Sequence, residues 1–188
     1  MADGCLLLVD AQEGPMPQTK FGLRKALELG LNPIVVINKI DKKHANPLNV
    51  RDKVSDLFLH LATEAEQLEF PVFYAIARDG KVYAELPEVA EGEAYPDADI
   101  STLLDAIISH VPAPQGDPKG NLQMLISSSE ANPHLGRFLI GRINRGSIRI
   151  DQPVVLISAE KNEQGRVKNI FVREGLEWKP VPSAVAGE

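Results

Sequence analysis

Asn38, Lys39 and Asp41 stand within four residues, directly behind the apolar β-branched run Ile34-Val35-Val36-Ile37. That spacing gathers a neutral amide, a long cation and a carboxylate at the carboxyl end of an expected strand. In open α/β sheets ligands bind at such ends. Guanine presents N1–H and its 2-amino group as neighbouring donors, and adenine has no matching pair. An ionised carboxylate accepts two bonds side by side, so Asp41 can take both. Charge-assisted bonds of this kind contribute about 1.5–3 kcal/mol each. A base without the donors leaves the carboxylate unpaired, and such sites discriminate strongly. Asn38 can tie loops together and meet the other edge of the base. The aliphatic stem of Lys39 can lie along the ring face while its ammonium stays in water. Ile40 between them is expected to point into the core. The bland alternative is a polar turn; the place of these residues between a buried strand and a helix favours a guanine-reading edge.

The elements around this loop alternate. "CLLLVDA" reads as a buried strand, and "KFGLRKALELG" sets Phe21, Leu23, Ala26, Leu27 and Leu29 at helical spacing, with Gly30 as a stop. Pro17 lies near the first helical position. "PIVVIN" is the next strand, "PLNVRDKVSDLFLHLATEAEQL" an amphipathic helix on Val50, Val54, Leu57, Phe58 and Leu61, and "FPVFYAIA" a third strand. "DISTLLDAIISHV" is a third helix with Asp99 as its cap. The expected class is α/β, a parallel sheet flanked by helices. "PAPQGDPKG" reads as a linker. Beyond it "LQMLISSS", "GRFLIGRI", "PVVLIS" and "RVKNIFVR" are short strand-like runs, expected to form a small, incomplete all-β barrel. The expected bodies are residues 1–116 and 117–188.

Charge divides in the same way. Residues 1–116 carry 10 Lys and Arg against 18 Asp and Glu, residues 117–188 carry 10 against 8, and the whole chain is at −6. No window approaches the roughly 18 apolar residues of a membrane span, and Asp3 stands where a signal peptide would be basic. The single cysteine, Cys5, excludes an internal disulfide and fits a reducing compartment; in "GCLLLVD" it reads as a small core residue. The histidines lack zinc-ligand spacing, so no metal site is expected.

"DGCLLLVDAQEGPMPQT", "NPIVVINKID" and "HVPAP" together resemble the translational GTPases, and most closely the BipA/TypA ribosome-associated GTPases. "LQMLISSSEANPHLGRFLIGRINRGSIR" is similar to the second-domain barrel of that family. The resemblance spans Ala2 to Glu188. It implies the C-terminal half of a GTP-binding domain of the P-loop type, then the start of a translation-factor barrel, in a cytoplasmic protein that binds GTP or GDP and works on the ribosome. Asn38, Lys39, Ile40 and Asp41 would hold guanine. The family has Ser-Ala where this chain has Ile76-Ala77, so Ala77 keeps a backbone N–H for guanine O6 and the serine hydroxyl is gone.

No G-x-x-x-x-G-K-[ST] occurs in the 188 residues. The phosphate cradle and the Mg2+ ligands of the intact parent would lie before Met1, and no catalytic residue is expected in this chain. The alternative is a ribosome- or RNA-binding module without hydrolysis. Arg137, Arg142, Arg145 and Arg149 form a basic run that, by resemblance, would face ribosomal RNA phosphates. Its one interleaved aromatic, Phe138, is too little for a stacking platform, and its bland reading is a solvated strand face. Glu85, Glu88, Glu91, Glu93, Asp97 and Asp99 populate a stretch expected to be a mobile solvated loop.

Overall fold

The computed structural model describes residues 2–90, 92–132, 136–159 and 161–188. Two compact bodies cover residues 2–112 and 113–188. Among the described residues no helix is long and apolar enough to cross a membrane.

In the first body β1 (Cys5–Asp10), β2 (Pro33–Asn38) and β3 (Val72–Ile76) lie side by side in that order. All are parallel, with Leu7 opposite Val35 and Val36 opposite Phe73. The helices are α1 (Pro17–Glu28), α2 (Pro47–Leu61) and α3 (Ser101–His110). Both faces of β2 are covered, which explains its unbroken apolar run. Val35 and Ile37 face a core with Leu23 and Leu27 of α1 and Val50, Val54 and Phe58 of α2. Ile34 and Val36 face Leu103 and Ala106 of α3, with Phe73, Ala75 and Val82.

Several expectations needed correction. β1 is not buried throughout: Leu7 and Val9 are in the core, but Leu6 is 38% and Leu8 57% exposed. Both point to the face that α3 covers only over the other strands. The sheet is not wholly parallel either. β4 (Lys81–Tyr83) pairs antiparallel with β3, after a 3-10 turn over Ala77–Asp79 that closes at Gly80 with φ 68°. Three residues are too few to show an alternation. The second helix ends at Leu61, and a 3-10 turn spans Ala65–Leu68. There the Gln67 side chain accepts from the N–H of Thr63 and of Glu64, competing with continuation of the helix. Phe21 and Leu29, placed on the apolar face of α1, are exposed. Asp99 acts one residue outside the cap, its carboxylate accepting from the Ser101 N–H at 2.8 Å.

The second body holds β5 (Gln123–Asn132), β6 (Gly136–Arg145), β7 (Ser147–Arg149), β8 (Pro153–Ile157), β9 (Asn162–Arg166), β10 (Ile170–Glu174), β11 (Glu177–Val181) and β12 (Ser183–Val185). They pair antiparallel as β5 with β6, β7 with β12, β8 with β9 and β10 with β11. Among the described residues the result is four two-stranded ladders, with no closed barrel. "RVKNIFVR" is split, its ends belonging to β9 and β10. One small core joins Ile143, Ile170 and Ala184, with Met124, Ile148 and Val172 beside it. Gly141 lets β5 and β6 come close, since a Cβ there would stand 2.0 Å from the Leu125 carbonyl oxygen.

Candidate functional site

Asn38 is the last residue of β2, level with Asp10 at the end of β1 and Ala75 in β3. The sheet therefore brings the ends of three parallel strands to one edge. The chain turns sharply at Lys39, whose φ of 64° is unusual for a residue with a Cβ. Such a conformation costs on the order of 1 kcal/mol and must be held by its surroundings. Two contacts hold it. The Lys39 N–H donates to Asn38 Oδ1 at 2.8 Å, and Lys39 Nζ sits 2.7 Å from Asp10 Oδ2.

Asn38 Oδ1 accepts a second bond, from the Ala77 N–H at 3.1 Å. One amide oxygen thus ties the loop after β2 to the turn after β3, across 39 residues of sequence. The other polar end of that amide is its NH2. Ile40 is 3% exposed and anchors the loop in the core, its N–H 3.4 Å from the Ala75 carbonyl. Ile76 is buried as well, at 3%. Asp41 follows, its side chain 21% exposed, with Oδ2 3.5 Å from an Arg78 guanidinium nitrogen. Arg78 itself is bound more closely to Asp79, at 2.8 and 3.2 Å.

Electrostatics favour the charged forms here. The Lys39 ammonium holds the Asp10 carboxyl below the usual carboxylate range, aided by N–H bonds from Gln12 and Glu13. Asp10 in turn raises the Lys39 ammonium. The arrangement is a rigid turn on a buried strand that presents a carboxylate, an amide NH2 and a lysine stem at one edge. The Ala77 N–H, expected to donate to guanine O6, donates to Asn38 Oδ1 instead.

Three partners escaped the sequence reading. Asp10 had a signal, since it ends β1 as Asn38 ends β2. Arg78 and Tyr95 had none: their contacts depend on the 3-10 turn after β3 and on a loop with no period. The Glu85–Asp99 loop keeps its described carboxylates exposed, as expected of a solvated loop, yet it is anchored to its neighbours. Tyr95 Oη donates to the Ile40 carbonyl at 2.9 Å and Tyr83 Oη to the Pro96 carbonyl at 2.7 Å. Glu91 lies outside the described residues.

Cys5 is half-buried, and burial pushes its thiol up, away from nucleophilic use. Arg137, Arg142 and Arg145 lie on β6, whose pairing with β5 is irregular at Ser127 and at Asn144, and Arg149 lies in β7. Arg145 also turns towards Asp117, 4.0 Å away.

Residues 1–113 match the family described as the elongation factor Tu GTP binding domain. The chain belongs to that family of GTP-binding domains. It is also similar along its whole length to the large ribosomal subunit assembly factor BipA of several bacteria. Identity is 41% to the protein of Synechocystis and 43% to that of Haemophilus influenzae. It is 42% to the protein of Bacillus subtilis. The chain spans about 30% of the length of these relatives. The Asn38–Asp41 turn falls within the part of this GTP-binding domain that the family match covers.

The fit of a nucleotide and Mg2+ to these residues is uneven. Asn38 and Asp41 have the donor and acceptor types a guanine edge needs. For Mg2+, the described residues contain no group of three or more His, Cys, Asp or Glu that could hold a metal ion.

Proposed function

We propose that residues 38–41, with the Ala77 turn beside them, read the guanine base of GTP or GDP in a ribosome-associated GTPase of the BipA type. The observation that carries this is the Asn38 amide, which bonds both the Lys39 and the Ala77 N–H and so fixes the turn that presents Asp41. Base binding would replace the loose Arg78 contact of Asp41 with two directed bonds from N1–H and the 2-amino group. Family membership and similarity to BipA support the reading. Hydrolysis of GTP, the use of Mg2+ and a cytoplasmic place of work are proposals for the full-length protein. The 188-residue polypeptide alone is expected to release no phosphate from GTP, because phosphoryl transfer depends on a phosphate cradle, magnesium and a positioned water.

The second body is read as the start of a translation-factor type of β-barrel, still open among the described residues, and the core that joins β6, β10 and β12 supports this. Arg137, Arg142, Arg145 and Arg149 are proposed to meet ribosomal RNA phosphates.

Competition between GDP and ADP for the full-length protein tests base recognition. GDP should win by at least about 100-fold, the worth of two charge-assisted bonds. Equal affinity would leave residues 38–41 as a turn and nothing more.

A further inference from the structure

Several contacts fasten the stretch between β4 and α3 to the base-reading turn. Tyr95 Oη donates to the Ile40 carbonyl, and Tyr83 Oη donates to the carbonyl of Pro96, the residue after Tyr95. Lys81 Nζ reaches the carbonyls of Tyr95 and Pro96 at 3.1 Å each. Leu86, Tyr95 and Ala98 pack against the core that holds Ile40, and the Tyr83 and Tyr95 rings lie 6.2 Å apart. The Ile40 carbonyl and the Asp41 N–H are two ends of one planar peptide. Holding the carbonyl therefore sets the plane from which the Asp41 side chain departs.

We propose that Tyr95 is a positioning residue for guanine recognition: clamped on the Ile40 carbonyl, it aims the Asp41 carboxylate so that both oxygens meet the base. This rests on the reading of Asp41 given above. Tyr95 itself touches no base. A carboxylate that swings still accepts one bond from N1–H. The second bond, from the 2-amino group, needs both oxygens in the plane of the base. The clamp thus sets discrimination between guanine and hypoxanthine, which keeps N1–H and lacks the 2-amino group. Burial, and next the charge of Asp41, push the Tyr95 hydroxyl up, which keeps it a donor at neutral pH.

The test is Tyr95→Phe in the full-length protein, titrated with GDP and inosine diphosphate. GDP should weaken about 3–10-fold, the equivalent of one neutral hydrogen bond, with inosine diphosphate changing by less than about twofold. A role in stability alone would weaken both alike and leave their ratio fixed; that result overturns the proposal. Tyr83→Phe, which frees the clamp from the far side, should move the ratio in the same direction by less. In the nucleotide-free protein, amide exchange at Asp41 and Lys42 should quicken in Tyr95→Phe without a change in global unfolding, and unaltered protection there counts against the clamp. Asp41→Asn measured alongside separates the two claims. If it shifts preference towards xanthine while Tyr95→Phe leaves the ratio unmoved, guanine reading stands and the positioning role falls. If Asp41→Asn changes no preference, guanine reading fails and the positioning role fails with it.

Discussion

Residues 2–112 and 113–188 are both rich in short strands, yet they hold side chains in place by different means. Among the described residues, the first body sets four strands in one sheet with helices on both faces, and 22 of the 25 buried apolar residues belong to it. The second has four separate ladders around three buried residues, Ile143, Ile170 and Ala184. Recognition by two directed bonds needs a turn fixed to a fraction of an ångström. That turn grows from β2, the strand buried on both faces. Phosphate contacts tolerate looser placement, because charge attraction falls slowly with distance. The proposed RNA-facing arginines sit on the thinner framework. Stiffness is thus placed where geometry matters most.

The contrast can be broken by emptying each core in turn. Phe58 is fully buried and stacked on Phe70, with ring centroids 3.8 Å apart. Phe58→Ala should destabilise the first body by about 3–5 kcal/mol, read as a lowered denaturant midpoint from a probe in residues 2–112. Ile143→Ala should cost about 2 kcal/mol, the low end for such a truncation, because a thin core collapses more readily onto the gap. Equal losses at the two sites would contradict the difference in packing.

Leu8 sharpens the comparison from the exposed side. It is 57% exposed on an edge strand of apolar sequence, a surface that recruits other chains. Leu8→Lys should change stability by no more than about 0.5 kcal/mol while reducing self-association of the 188-residue polypeptide. Sedimentation that shows no difference between wild type and variant would remove β1 as the sticky edge.

The smallest effect concerns acid. The pKa of Asp10 is lowered in the folded protein, chiefly by its hydrogen bond to Lys39. A depressed carboxylate contributes stability above its unfolded value, about 3.9, and loses that contribution as pH falls through the lower folded value. Asp10→Asn should therefore flatten the stability curve below about pH 4 and lower it above. An unchanged acid limb would mean the Lys39 turn is held without the ion pair.

How far the sequence spoke depended on period and length. β2, α2 and α3 were legible because their spacing matches burial on two faces or one. The place of Asn38, Lys39 and Asp41 at the end of β2 was legible because the apolar run leads straight into them. β4 was hidden by its three residues, and the break after Leu61 by a single glutamine that takes the next N–H groups. β1 misled because its leucines are apolar on both sides while only one side is covered. The clamp of Tyr95 on Ile40 spans 55 residues and follows no pattern a one-dimensional reading could find. In the second body three of the four strand-like runs were legible; the split of "RVKNIFVR" and the pairing into ladders were not, since these depend on bulges and turns such as that at Asn144.

Guanine reading by Asp41 is tested most directly by exchanging one acceptor for a donor. Asp41→Asn places an NH2 where a carboxylate oxygen met the 2-amino group, and xanthine carries a carbonyl oxygen at that position. Competition titration of guanosine and xanthosine diphosphates against both full-length proteins should show GDP weakened and the xanthine nucleotide strengthened. With two bonds exchanged at about 1.5–3 kcal/mol apiece, the preference should change by at least about 100-fold. A guanine-to-xanthine ratio that is the same in both proteins would contradict the account.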